Sequence, residues 1–426
     1  MELYINILSF KRREGERKMK KFLSLALALL MVLTCVSVFA SCDGEKGNED
    51  GTKADGTQAP VAKEDFKLGV ILLHDEDSTY DLNFINGINA AKEALGLSDA
   101  QVIMKRNIPE SNACYEAALD LIDEGCDIIF ADSFGHETHM LKAAEENPEV
   151  QFCHATGNQA HVKKLANYHN AFASIYEGRF LAGVAAGMKL NEMIEAGTIT
   201  AEQAKMGYVG AFTYAEVISG YTSFYLGAKS VCPSVTMDVQ FTGSWYDETA
   251  EKNTAMALIE NGCVLISQHA DSMGAPSACE EKGVPNVSYN GSTVAHCPNT
   301  FIVSSRIDWA PYIKYICEQV MNGKAIDTDW CGTIATGSVV LTEVNETAAA
   351  AGTATKIEEV KAALMAGTAH VFDTANFTVG GNPVTSHKVE ENEVIKDGYF
   401  SESEIMSAPY FDLRIDGINL LNENFG

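Results

Sequence analysis

Short apolar runs alternate with amphipathic helical segments along most of the chain, and this alternation occurs in two successive series. The first series contains predicted strands at 66–75, 100–107, 126–132 and 150–157. The second contains predicted strands at 205–212, 235–242, 263–269 and 284–290. Helical patterns of period 3.6 separate these strands, and strand–helix–strand units at this spacing form right-handed crossovers in a parallel sheet. The sequence therefore predicts an α/β protein with two doubly wound parallel-sheet lobes.

Polar and aromatic side chains follow many of these strands. In open parallel sheets, ligands bind beyond the carboxyl ends of the strands, where the loops converge. Two facing rims, one from each lobe, would enclose a cleft. The candidate ligand-binding residues at these strand ends are Tyr80, Asn83, Phe84, Ser133, Phe134, Trp245, Tyr246, Asp271, Asn290, Asp308 and Trp309.

Trp245 and Tyr246 are adjacent on a predicted connecting loop, although the chain has only 3 Trp. An aromatic residue at a strand end can seal the sheet against the next helix. Several aromatics at equivalent strand ends favour another interpretation, in which the rings form walls that stack on a planar ligand. Glu177 and Asp271 begin predicted helices, so they either cap those helices or accept hydrogen bonds from a ligand.

The N-terminal region resembles an export signal. A basic segment precedes the apolar run 22–40, and small residues lead to Cys42, as in a lipoprotein signal whose cysteine becomes acylated. Simple cleavage near Ala40 and an uncleaved anchor are the alternatives. Residues 1–41 are therefore predicted to be the signal peptide, and the polar residues 42–65 a flexible tether. This predicts a lipid-anchored protein on the extracytoplasmic face of the cell membrane.

Charge and motifs exclude several classes of function. The formal net charge of −27 argues against nucleic acid as a partner, because an acidic surface repels phosphates. Nine cysteines follow the signal region, and no two of them form a CxxC pair. His136 and His139 do not have the spacing of a zinc-protease motif, so we interpret the two histidines as solvated helix surface. The chain also lacks GxSxG, P-loop and GxGxxG motifs. We therefore predict no catalytic residue, no metal and no cofactor.

Five segments together resemble the basic membrane lipoprotein family of ABC-importer substrate-binding lipoproteins, which includes a purine nucleoside receptor. They include "IFADSFGHETHMLKAAEENPEVQFCHATG", "YEGRFLAGVAAG", "SWYDETAEKNTAMALIENGCVLISQHADS" and "HVFD", and the likeness covers about residues 66–375. The resemblance implies a type I periplasmic-binding-protein fold with a three-strand hinge and a purine base or nucleoside as ligand. By position, Phe84 and Trp245 match base-stacking residues and Glu177 matches a family acid. Asn290 stands where many members have an aspartate that holds the ribose, which favours a base alone.

This resemblance implies a specific domain arrangement. Residues 66–172 and 291–325 would form the N-terminal lobe, and residues 173–290 and 326–426 the C-terminal lobe. The hinges are predicted at Ala171–Ser174, at Tyr289–Ser292 and after Lys324. A monomer would deliver its ligand to an ABC permease. Binding of a sugar or another small solute, a purine-processing enzyme and a receptor without transport remain alternatives.

Overall fold

A six-stranded parallel sheet forms the core of the first lobe in the computed structural model, which describes residues 58–423. Its strands are β1 (Leu68–Ile71), β2 (Val102–Lys105), β3 (Ile128–Ala131), β4 (Gln151–Ala155), β5 (Tyr168–Ala173) and β11 (Asp329–Gly332). Their order across the sheet is β2-β1-β3-β4-β5-β11. Every neighbouring pair is parallel, as the alternating sequence pattern predicts.

A seven-stranded sheet forms the second lobe. Its strands are β6 (Lys205–Gly210), β7 (Thr236–Phe241), β8 (Leu265–His269), β9 (Asn286–Tyr289), β10 (Phe301–Ile307), β12 (Val339–Leu341) and β19 (Ile418–Leu420). Their order is β12-β10-β9-β8-β6-β7-β19, and only the edge pair of β10 and β12 is antiparallel. The two lobes therefore have the doubly wound α/β architecture that the sequence predicts.

Helices connect the strands and pack on the sheets. They are α1 (Thr79–Leu95), α2 (Asn112–Asp123), α3 (Glu137–Glu146), α4 (Ala160–Lys163), α5 (Ile175–Glu195), α6 (Ala215–Val231), α7 (Glu248–Glu260), α8 (Gly274–Lys282), α9 (Ala310–Met321) and α10 (Thr353–Met365). Helix α1 shows how the sequence defines such an element. The Ser78 hydroxyl caps its first turn, Gly96 ends it with φ 61°, and Phe84, Ile88 and Ala91 form its buried face.

Helices α5 and α6 pack at unusually close range. A Cβ atom at Gly183 would overlap the carbonyl oxygen of Phe224, and one at Gly227 would overlap that of Phe180. Only glycine lets the two helix backbones approach this closely. Gly183, within the segment "GRFLAGVAAG", therefore allows the close packing of these two helices.

The chain crosses between the lobes three times, and the positions differ partly from the predicted hinges. The first crossing follows Ala173, within the predicted segment. The second lies between Ile307 and Trp309, because β10 pairs with the second-lobe sheet whereas α9 packs against α1 of the first lobe. The third joins Gly332 to Val339. The Tyr289–Ser292 segment instead joins two strands of the second lobe, and β11 belongs to the first lobe rather than the second.

The last 56 described residues, 368–423, contact both lobes. A hairpin forms by the pairing of β13 (Thr378–Val379) with β14 (Asn382–Pro383). Two further hairpins follow, made of β15 (Lys388–Val389) with β16 (Asn392–Glu393) and β17 (Ile395–Lys396) with β18 (Tyr399–Phe400). Ser407 donates its backbone N–H to Asp329 of the first lobe, and Arg414 donates to the Tyr221 hydroxyl of the second.

The nine cysteines from Cys114 to Cys331 are free thiols, and eight of them are buried, where cysteine packs as a small apolar side chain. Within residues 58–423, none of the helices combines the length and apolar character that a membrane crossing requires. The predicted signal peptide, most of the predicted tether and the predicted acylation site Cys42 lie outside the described residues.

Candidate functional site

A cavity lies between the two lobes, at the carboxyl ends of strands from both sheets, with about 340 Å³ of space free of atoms, including open solvent. Its wall is largely aromatic and aliphatic, with a few hydroxyl and carboxyl groups. The lining residues are Leu73, Tyr80, Ser133, Phe134, Thr156, Glu216, Trp245, His269, Asp271 and Tyr289. This is the position that the strand-end rule predicts for a ligand site in an open α/β sheet.

Aromatic rings from both lobes meet at this cavity. Trp245 packs edge-on against Phe212, with ring centroids 5.0 Å apart. Tyr214 stacks on Phe212 on one side and on Phe134 of the first lobe on the other, at 5.2 and 5.0 Å. Each ring thus holds its neighbour in place, and Trp245 and Phe134 present rigid aromatic surface to the cavity. Such surface suits the face of a planar ligand.

Hydrogen bonds also join the lobes beside the cavity. The backbone N–H and the hydroxyl of Thr79 both donate to the carbonyl oxygen of Asp271, at 3.1 Å. The Asn83 amide donates to Oδ1 of Asn290 at 3.4 Å. These contacts describe a closed arrangement of the two rims. In a type I binding protein, closure of this kind encloses the ligand.

Two acids provide hydrogen-bond acceptors on the second-lobe wall. Asp271 accepts from the Asn290 amide at 3.2 Å. Burial raises the pKa of Asp271 well above its usual range, and the nearby charges of Glu251 and Glu216 add to this rise. Glu216 lies in the first turn of α6, 3.4 Å from Nε2 of His269. Burial also lowers the pKa of His269, so the neutral imidazole is favoured.

The first-lobe wall is held by polar contacts at the ends of β1 and β3. The Tyr80 hydroxyl donates to the carbonyl oxygen of Asp132 at 2.7 Å, and the Ser133 hydroxyl donates to Glu110 at 2.6 Å. The buried Asp132 carboxyl accepts from the backbone N–H of Leu73. Burial, followed by the neighbouring Asp81 charge, raises the pKa of Asp132 well above its usual range. These contacts fix the orientation of Tyr80 and Ser133 before a ligand enters.

The structure brings together many, but not all, of the residues that the sequence suggests for the site. The cavity wall contains Tyr80, Ser133, Phe134, Trp245 and Asp271. Three others lie between the lobes beside it. Asn83 and Asn290 form the amide pair described above, and the Tyr246 ring lies 5.4 Å from that of His74 in the first lobe.

The other four predicted residues lie away from the cavity wall. Phe84 and Trp309 are buried in the first-lobe core, stacked with their centroids 4.3 Å apart. Phe84 therefore supports Tyr80 from behind, at 4.9 Å, instead of presenting its own face to the cavity. Asp308 accepts the backbone N–H of Ala310 at the start of α9.

Glu177 lies at the interlobe crossings. Its carboxylate accepts from the Ser174 hydroxyl at the first crossing and from the backbone N–H of Ile334 at the third. Burial raises the pKa of Glu177 above its ordinary value. Its contacts give it a role in connecting two hinge segments.

Five lining residues were not predicted, namely Leu73, Thr156, Glu216, His269 and Tyr289. His269 and Tyr289 end strands β8 and β9, and a stricter use of the strand-end rule would have included them. Glu216 carried the signal of an acid in the first turn of a helix that follows a strand. Leu73 and Thr156 have side chains that are common in any loop, so their types gave no signal.

The interpretation of His136 as solvated surface is wrong. This histidine is fully buried, and its Nε2 lies 2.8 Å from the carbonyl oxygen of Ile108. Burial lowers its pKa to about 4, so the ring stays neutral at physiological pH. No group of three or more potential metal ligands occurs within the part of the chain that the structure covers.

A sequence model of the Bmp family, described as ABC transporter substrate-binding protein PnrA-like, matches residues 73–367. The chain belongs to the Bmp family. Members of this family are transporter substrate-binding proteins, not enzymes, and they act on the extracytoplasmic side of the membrane. The family resemblance inferred from the sequence motifs is thereby confirmed.

Two curated relatives of this Bmp-family chain carry different ligand names. It is 31% identical over 232 residues to the purine-binding protein BAB2_0673 of Brucella abortus, covering 54% of the chain and 61% of that protein. It is 33% identical over 218 residues to TsgA13 of Haloferax volcanii, whose name refers to an ABC transporter glucose-binding protein, covering 51% of the chain and 52% of that protein. The chain thus spans less than two thirds of the length of these relatives.

A solved structure supports the fold. The ABC transporter solute-binding protein of Conexibacter woesei superposes with a TM-score of 0.58 at 17% identity, covering 72% of this chain and 98% of that one. At this identity the likeness concerns the fold alone. The type I periplasmic-binding fold predicted from the sequence is confirmed.

Proposed function

We propose that this Bmp-family protein captures a purine base or nucleoside in the interlobe cavity and delivers it to an ABC permease. The observation that carries the proposal is the pairing of aromatic walls, Trp245 and Phe134, with the buried acceptors Asp271 and Glu216. A purine has two flat faces that stack on such rings and edge N–H groups that donate to carboxyl oxygens. The Brucella abortus relative, named as purine-binding, supports the same assignment.

A base is favoured over a nucleoside by two features. Little of the cavity between the closed lobes is wide enough for a water-sized sphere, so a base requires less opening of the lobes than a nucleoside does. The Asn290 amide is also already occupied, since it donates to Asp271 and accepts from Asn83. A ribose would have to compete with these contacts, whereas a base requires no such rearrangement.

The name of the Haloferax volcanii relative favours glucose as the second candidate. A sugar presents many hydroxyl groups and needs several polar partners around its ring. The wall described above offers aromatic and aliphatic surface over most of its area, with acids concentrated near Asp271 and Glu216. This composition suits a flat heterocycle better than a pyranose.

A thermal-shift screen tests the proposal, because a ligand that binds only the folded state raises its melting temperature. The purified protein is heated with adenine, hypoxanthine, guanine, their nucleosides or glucose, each at matched concentration. We expect purine bases to give the largest shifts. A shift with glucose and none with any purine would contradict the proposal.

We further propose that the mature protein is a monomer attached to the cell membrane by a lipid at Cys42, with residues 42–65 as its tether. The sequence pattern around Cys42 supports the anchor. Expression of the full chain and of its Cys42→Ser variant with radiolabelled fatty acid tests it. Label should enter the unchanged chain and not the variant; equal labelling of both would contradict acylation at this cysteine.

A further inference from the structure

Behind the second-lobe wall lies an arginine without a carboxylate partner. Arg179 of α5 is fully buried, and its guanidinium donates to the hydroxyls of Tyr208 at 3.1 Å and Ser267 at 2.8 Å, and to the carbonyl oxygen of Ser288 at 3.2 Å. Among the ion pairs of residues 58–423, none includes Arg179. Arginine remains protonated in proteins, so a full positive charge is buried here.

The charge lies close to three aromatic rings, one of which belongs to the cavity. The guanidinium carbon is 5.0 Å from the Phe224 centroid, 5.1 Å from that of Tyr289 and 5.4 Å from that of Tyr208. Cations are attracted to aromatic faces, and the ring in turn loses electron density towards the cation. A phenol polarised in this way is a stronger hydrogen-bond donor.

Tyr289 combines this polarisation with an unused hydroxyl. Its side chain is 2% exposed and lines the cavity, and its Oη has no hydrogen-bond partner among the described residues. Burial raises the pKa of Tyr289 well above its usual range, and the Arg179 charge opposes this rise without cancelling it. The hydroxyl therefore keeps its proton at neutral pH and is available as a donor.

A buried polar group without a partner is costly, and a bound ligand can supply the missing partner. The other strong groups of this wall, the carboxylates of Asp271 and Glu216, are acceptors when ionised. Tyr289 therefore places a hydroxyl donor beside the carboxyl oxygens of these two acids. A heterocycle with both N–H groups and bare acceptor atoms on its edge could satisfy both kinds of group.

We propose that Tyr289, polarised by Arg179, donates a hydrogen bond to an acceptor atom on the edge of the bound heterocycle and thereby selects ligands that carry this acceptor. The acceptor is an unprotonated ring nitrogen or a ring carbonyl oxygen. Tyr289 contacts the ligand, and Arg179 is a positioning residue that acts through it. This inference rests on the proposed purine function and adds the requirement that the ligand carries a hydrogen-bond acceptor on its edge.

Calorimetric titration of the Tyr289→Phe variant tests the proposal. The titrants are adenine, hypoxanthine and three adenine analogues in which N1, N3 or N7 is replaced by C–H. Loss of one hydrogen bond to a buried group should weaken binding of the parent base roughly tenfold. One of the analogues should bind the unchanged protein about as weakly as the parent base binds the variant. Tyr289→Phe should not reduce the affinity for that analogue any further, as expected when the replaced atom and the Tyr289 hydroxyl form a direct hydrogen bond.

The melting temperature without ligand provides a second readout. Because the Tyr289 hydroxyl is buried without a partner among the described residues, its removal should leave this temperature unchanged or raise it. Tyr312→Phe is a matched control, since the Tyr312 hydroxyl is also buried, in the first lobe and away from the cavity wall. This control should bind every purine as the unchanged protein does.

Two Arg179 variants separate polarisation from packing. Arg179→Gln removes the charge. It should reduce the affinity for the parent base but not for the analogue whose affinity Tyr289→Phe leaves unchanged. Arg179→Lys keeps a positive charge and should retain part of the affinity that Arg179→Gln loses. The inference is overturned if the unchanged protein binds purines and Tyr289→Phe binds all of them equally well, in which case the proposed function stands. If the unchanged protein binds no purine, both proposals are overturned.

Discussion

Replacement of Trp245 by alanine would remove the largest aromatic surface of the proposed ligand site. The indole is partly buried, with one edge against Phe212 and its remaining surface at the cavity. The backbone carbonyl of Trp245 accepts the N–H of Asp271 at 2.9 Å, and this bond survives the substitution. Loss of affinity therefore reports mainly on the ring itself.

The expected magnitude follows from base stacking on an aromatic side chain, which contributes roughly 1–3 kcal/mol. Binding of the preferred purine should weaken by about 5- to 150-fold. Isothermal titration calorimetry of the purified variant measures this directly. Trp245→Phe keeps an aromatic face and should retain part of the affinity.

A second tryptophan provides the matched control. Trp330 of β11 is also partly buried, but it packs against Tyr312 in the first lobe with centroids 4.9 Å apart. Trp330→Ala should destabilise the protein without a selective effect on purine affinity once the protein is folded. Unchanged purine affinity in Trp245→Ala, or an equal loss in Trp330→Ala, would refute the stacking argument.

Three further predictions concern the framework of the site. Burial raises the pKa of Glu402 to about 8, well above the ordinary pKa of a glutamate carboxyl. The stability that its protonated form contributes is complete below that ordinary pKa and is lost as the pH rises towards 8. The fall in melting temperature between pH 5 and pH 8.5 should be smaller in Glu402→Gln than in the unchanged protein. Glu404→Gln, at an exposed position, should behave as the unchanged protein does. An equal fall in the unchanged protein and both variants would contradict this prediction. Gly183→Ala should force α5 and α6 apart and cost about 1–3 kcal/mol in chemical unfolding, and wild-type stability in this variant would show that the helices are not held so closely. The eight buried thiols should resist iodoacetamide in the native protein and react after unfolding, because burial leaves them inaccessible and, in seven of them, raises the thiol pKa above its ordinary value. Rapid labelling of the native protein would contradict this burial.

The alternation of strand and helix predicted the two sheets, because each parallel strand needs a crossover helix and the two periods are easily distinguished in sequence. The sheet to which a strand belongs is a different question. Strand β10 is an apolar run like any other, and it joins the second lobe only because it pairs with β9. Local sequence contains no information about that pairing, so one predicted hinge was placed at Tyr289–Ser292 instead of after Ile307.

The same limitation affects the site. Strand ends identified the correct rims, and Tyr80, Phe134 and Trp245 lie at the cavity. Helical periodicity, however, could not decide which residue of α1 reaches the cavity and which enters the core. Phe84 shares the buried face of α1, whereas Tyr80 lies in the first turn of the helix, near the end of β1. The choice between them depends on how the helix is rotated against the sheet, which is a matter of tertiary packing.

A crystal structure of the protein with its preferred purine tests the central claim most directly. We expect density for a flat ring in the interlobe cavity, stacked on Trp245, with an edge N–H within hydrogen-bond distance of Asp271 or Glu216. A purine bound outside this cavity, or in the cavity without contact to Trp245 and either acid, would contradict it.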